Sequence, residues 1–99
     1  MKVFEGLADI RHELENAERK FPNFPTDPVH AAAIVGEETG ELTQAALQFT
    51  YEHGNYAALY KEAVQVGAMV LRFLLNIDNF IGRPSNNAEP VQLNTTQKG

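Results

Sequence analysis

The chain has 99 residues, enough for one modest core and too few for two. Hydrophobic residues make up 43% and charged residues 21%, which argues against wholesale disorder. The lack of cysteine rules out disulfide scaffolds, thiolate zinc sites and cysteine nucleophiles.

The formal charge is -5 at pH 7 and the pI about 5.0. This balance disfavours a nucleic-acid polymer or an anionic membrane as partner. A nucleotide stays open, because a bound cation inverts the local sign. The opening MKVFEGLADI lacks the apolar run of a secretory signal, and no stretch approaches the ~20 apolar residues of a membrane span. A cytoplasmic protein is the expectation.

The first element in chain order is a helix from about Val3 to Lys20. Val3, Leu7, Ile10, Leu14 and Ala17 recur at steps of four and three, a single amphipathic stripe. Glu5, Asp9, His12, Glu15 and Arg19 form the opposite, solvated side. FPNFPTDP then stops the helix, since proline cannot continue it.

A second helix starts with Asp27 as N-cap and Pro28 as first helical residue. It runs to about His53, with Gly54 as the stop. Asn55 caps a third helix running to about Asn79, ended by Gly82 and Pro84. Residues 1–81 read as one helical domain and 82–99 as a polar tail, loose or ordered only by a partner subunit. The class is all-α.

Helices two and three, each about 25 residues or roughly 37 Å long, are joined by a very short turn. The expectation is an antiparallel hairpin with a shorter first helix beside it. Helix three is apolar around most of its circumference: Leu59, Ala63, Val64, Val66, Val70, Leu71, Phe73, Leu74, Leu75 and Ile77. Such a helix needs cover on nearly all sides. A homodimer completing a four-helix bundle, or a dimer of such dimers, supplies it.

On a helical wheel with Glu37 at zero, Ile34, Ala45, Phe49, Ala31, Leu42, Val35 and Ala46 span about 60–180°. Glu38 falls at about 100°, inside this core-facing arc, and Glu41 at about 40°, on its edge. A carboxylate aimed at a core is costly unless paired or metal-bound. Glu38 either pairs with a base or snorkels at a rim, or else shares a divalent cation with Glu41. Ala33, Gly36, Gly40 and Thr43, on the other side, read as a small-residue face for close helix packing.

Helix three carries one polar strip: Lys61, Glu62, Gln65, Arg72 and Asn76, with Met69 among them. Taken alone it reads as the solvated side. Facing Glu38 and Glu41 it would instead supply oxygen ligands from Glu62 and Gln65, and positive charge for phosphate from Lys61 and Arg72. Phe24, Tyr56 and Met69 could stack on a base or simply pack. His30 shares a face with Glu37 and Glu41 and is left unassigned.

Glu37-Glu38-Thr39-Gly40-Glu41-Leu42 resembles the EExxE motif of the MazG-like all-α nucleoside triphosphate pyrophosphohydrolases. That family follows it, after a dozen to some thirty residues, with ExxD on the next helix. Here twenty residues separate Glu41 from Glu62, and the second motif reads Glu62-Ala63-Val64-Gln65. The resemblance covers about Asp27 to Ile77. It implies magnesium-dependent hydrolysis of a nucleoside triphosphate, often a deoxy or non-canonical form, to monophosphate and pyrophosphate, by dimers or tetramers.

Carried over by position, Glu38, Glu41, Glu62 and, in the fourth place, Gln65 are the expected Mg2+ (or Mn2+) ligands; as a mechanistic hypothesis, Glu37 or Glu38 is the catalytic base that takes the proton of an attacking water. From the polar strip, Lys61, Arg72 and Asn76 are the expected substrate-binding residues. Gln65 stands where the pattern has aspartate. An amide carbonyl ligates a hard cation but brings no charge. The alternative reading is therefore a catalytically weak or inactive MazG-like module that binds a nucleotide or a protein partner. A di-iron bundle lacks its Glu-x-x-His pairs, and the lone Ser85 supports no triad.

Overall fold

The computed structural model describes residues 1–82, so the tail expected at 82–99 lies, Gly82 apart, outside the described residues. The described chain is all-helical: α1 (Val3–Lys20), α2 (Pro28–Tyr51), α3 (Tyr56–Leu75) and a 3-10 turn over Ile77–Asn79. None of these helices is long and apolar enough to cross a membrane.

The helix starts follow from local chemistry. The Asp27 carboxylate accepts from the Val29 N–H at 2.9 Å, with Pro28 opening α2. The Asn55 side chain accepts from the Ala58 N–H at 2.6 Å. Each satisfies one of the four amide donors a helix leaves unpaired at its start. At α1 the Glu5 carboxylate reaches back to the Lys2 N–H at 2.9 Å.

The ends differ from expectation. α2 stops at Tyr51, two residues before His53. His53 carries the left-handed backbone there, at φ 61. Gly54 is needed for closeness instead: a Cβ would lie 2.8 Å from the Gln48 carbonyl carbon and 2.9 Å from the Phe49 nitrogen. The Gly54 N–H donates to the Gln48 carbonyl at 2.8 Å, folding the chain onto the helix end. α3 stops at Leu75, four residues before Asn79. There the Asn76 side chain donates to the Arg72 carbonyl at 2.9 Å, and such local bonding competes with helix continuation.

α3 is the element on which both α1 and α2 pack. At the α1 contact, a Cβ on Gly67 would sit 2.8 Å from Ile10 Cδ1, so the missing side chain sets the spacing. Further along, the Tyr60 hydroxyl donates to Asp9, and this bond pushes the phenol up to about 12. Beyond α3, the Phe73 and Phe80 rings meet at 4.9 Å, and the Ile81 N–H donates to the Thr26 carbonyl at 2.9 Å.

Among the described residues, the buried apolar ones are Leu14, Ala17, Ala31, Ala45 and Ala68, and none of the large side chains is fully buried. Much of the apolar pattern is uncovered. Val3 is 79% exposed and Leu7 60%, so the α1 stripe is buried only in its second half. On α3, Val70, Leu74 and Leu75 are exposed, and with Phe73, Ala32 and Val35 the first two line a shallow apolar groove of about 240 Å³. The small-residue face of α2 is likewise open, with none of the described residues within 4 Å of where a Cβ would stand on Gly36 or Gly40.

Candidate metal centre and cleft

α2 and α3 bring three carboxylates to one place. Oxygens of Glu38, Glu41 and Glu62 lie within 4.8 Å of one another. Glu38 and Glu41 are one helical turn apart on α2 and so share a face. Glu62 comes from α3, three residues before Gln65. Gln65 joins the group: with its amide nitrogen turned to the carboxylates, it donates to Glu62 Oε1 at 3.1 Å and Glu38 Oε1 at 3.2 Å.

Glu38 is half-buried in the wall of a cleft, not sealed in a core as its wheel position suggested. Its carboxyl is raised above the usual range, first by loss of water and then by Glu41, Glu62, Glu13 and Glu37 around it. Three clustered carboxylates form a hard-oxygen donor set of the kind that suits Mg2+ or Mn2+, and the Gln65 amide adds an oxygen to it when turned the other way.

The cleft beside the cluster has a volume of about 510 Å³, within the usual range for a small-molecule pocket. Glu38 and Gln65 mark its acidic end; Ile34 and His30 continue along α2, and Met69 and Arg72 along α3. The chain between α1 and α2 supplies the opposite wall through Phe21, Asn23, Phe24 and Pro25.

The polar strip of α3 divides in space. Glu62 and Gln65 belong to the cluster, whereas Lys61 is exposed in a separate depression with Asp9, His12, Glu13 and Tyr60. Asn76 sits at the α3 C-terminus, bonded to the Arg72 carbonyl and to the Asn79 side chain. Arg72 lines the cleft but is only 5% exposed, and its guanidinium donates to the Ala17 and Phe21 carbonyls. Lys61, Arg72 and Asn76 therefore do not converge on one phosphate position.

Glu37 is exposed on α2 next to Glu38. Phe24 and Met69 line the cleft, while Tyr56 lies elsewhere, stacked on Tyr60 at 6.1 Å.

The sequence reading missed the α1 contribution. Glu13 and Lys20 both line the cleft. A signal existed for Glu13: on the α1 wheel it stands about 40° from Ala17, at the edge of the apolar stripe and not opposite it. No family model, curated protein or solved structure was found to match this chain.

Proposed function

We propose that the protein is a divalent-cation-dependent nucleoside triphosphate pyrophosphohydrolase, releasing a monophosphate and pyrophosphate. One observation carries this reading: three carboxylates from two helices meet within 4.8 Å at the end of a cleft large enough for a nucleoside. The motif resemblance at Glu37–Glu41 and Glu62–Gln65 supports it.

Glu38, Glu41 and Glu62 would hold Mg2+, with the Gln65 carbonyl as a neutral fourth donor once the amide turns its oxygen to the cation. When bound, such a cation supplies charge neutralisation for phosphate oxygens and acidifies a nearby water. Glu37 or Glu38 takes the proton of the attacking water. Lys20 on the cleft wall adds positive charge for a polyanion. Phe24 and Met69 offer apolar surface to a base.

The working unit in this proposal is a homodimer, or a dimer of dimers, in which α2 and α3 form an antiparallel hairpin. Proximities along the two helices support that direction: Glu38 lies by Gln65, Glu41 by Glu62, and Gln48 and Ala58 line one depression. The uncovered apolar surface of α1 and α3 supports a second copy as the cover.

The Gln65 amide favours a second reading, since it already offsets the charge of Glu38 and Glu62 with no cation. In that reading the chain binds a nucleotide or protein partner without turnover. Incubation with Mg2+ and a panel of canonical and modified nucleoside triphosphates, followed by product separation, decides between them. Monophosphate plus pyrophosphate is expected. No turnover by a folded oligomer across the panel would favour the binding module.

A further inference from the structure

Arg72 has an unusual environment for a residue read as a phosphate ligand. It is the one buried charged residue among the described residues, and no carboxylate there lies within ion-pair reach of it. Its guanidinium is held by backbone and ring. Nη1 donates to the Ala17 carbonyl at 3.4 Å and Nη2 to the Phe21 carbonyl, while Cζ stands 5.0 Å from the Phe24 ring centroid.

These partners suit a cation. Ala17 and Phe21 sit at the C-terminal end of α1, where the dipole favours positive charge; the Phe21 carbonyl has no helical partner, and the Ala17 carbonyl takes the guanidinium in addition to the Phe21 N–H. The face of Phe24 adds a cation–π contact.

The held segment is the cleft wall. Phe21, Asn23, Phe24 and Pro25 all line the cleft. Among the described residues, the main chain from 22 to 25 makes no hydrogen bond of its own. It is tied at its two ends, by Phe21 N–H to Ala17 and by Thr26 to the Ile81 N–H. Between those ties, the contact from Arg72 to Phe24 joins this wall to α3.

We propose that Arg72 is a positioning residue: it fixes the Phe21–Pro25 wall against α3 and so shapes the part of the cleft that receives the nucleoside. This deepens the hydrolase reading and rests on it for its kinetic arm. A residue that shapes the ground-state pocket changes KM, whereas one that meets charge developing on phosphate changes kcat.

The test compares Arg72→Met and Arg72→Lys with wild type in steady-state hydrolysis, alongside Mn2+ affinity measured by electron paramagnetic resonance. Arg72→Met should raise KM about tenfold, as for one or two wall side chains that must be ordered on binding. Its kcat should stay within about threefold of wild type, below the tenfold step that marks about 1.4 kcal/mol of lost transition-state contact. Arg72→Lys should recover part of the KM, because it keeps the cation over Phe24. A fall in kcat at constant KM, or no kinetic change, overturns the proposal.

A second readout needs no turnover. Trypsin should cut Lys20–Phe21 faster in Arg72→Met, with Mn2+ affinity unchanged. If wild type hydrolyses nothing, the hydrolase reading fails and this cleavage still decides the positioning role; an unchanged cleavage rate overturns it. Should Arg72→Met not fold, Phe24→Leu removes only the ring contact and must accelerate the same cleavage, or the proposal falls.

Discussion

The Gln65 amide nitrogen on α3 lies 3.2 Å from Glu38 Oε1 on α2, and the same group reaches Glu62 at 3.1 Å. One neutral side chain thus takes two of the three clustered carboxylates as partners. Gln65→Asp would remove both N–H donors and add a like charge. Without metal, that variant should melt below wild type. With Mg2+ or Mn2+ it should recover, and saturate at a lower metal concentration. Melting curves across a metal titration check this, and an unchanged midpoint would remove Gln65 from the ligand set.

Glu38→Gln should leave the fold intact and lower hydrolysis by about 10²-fold or more, the scale of a lost acid–base group. In the metal-free protein it should melt at or above wild type, since a carboxylate crowded by Glu41, Glu62, Glu13 and Glu37 is a strain on the fold. Full activity in this variant would sink the catalytic assignment.

The raised Glu38 carboxyl gives that comparison a pH dependence. An acid whose folded value exceeds its ordinary 4.5 binds its proton more tightly in the folded state, so its charge costs stability only at higher pH. The cost is absent below the ordinary value and grows as pH rises through the folded one. The melting advantage of Glu38→Gln should therefore be fullest near neutral pH and shrink toward pH 4.5. An advantage that widens on acidification would contradict the desolvated, crowded carboxyl.

His53 and Gly54 make a separate test of the turn. His53→Gly should stabilise by about 1 kcal/mol, because a left-handed backbone penalises a Cβ. Gly54→Ala should destabilise by about 1–3 kcal/mol, since the added Cβ meets main-chain atoms that cannot move aside. Chemical denaturation of the two variants reads both signs.

Helix starts were legible because capping is local: Asp27 with Pro28, and Asn55, act within three residues. Helix ends were less so. Apolar periodicity ran on through Ile77, whereas α3 stops at Leu75, where Asn76 bonds back to Arg72 and the chain tightens into the 3-10 turn. The carboxylate cluster was readable because i, i+3 spacing fixes a face and the motif spacing pairs two faces. A wheel gives an angle and not a depth, however. It placed Arg72 on the polar strip without showing that the strip passes under the Phe21–Pro25 segment, and the position of Glu13 at the edge of the α1 stripe did not show that α1 would bring it and Lys20 to the cleft.

The apolar groove of Val35, Val70, Phe73 and Leu74 should be covered in solution by a second copy. Leu74→Glu should shift the sedimentation of the protein from dimer toward monomer, with loss of helical signal at low concentration. A wild type that sediments as a monomer at all concentrations would remove the dimer from the proposal.

Among the described residues the sealed interior is one leucine and four alanines, so little free energy is stored within a single copy. If copies associate as proposed, dilution acts as a denaturant. Association of copies raises apparent stability by mass action, and the melting temperature should climb with protein concentration. The cellular abundance of the chain would then govern how much of it is folded, as well as how much of it there is.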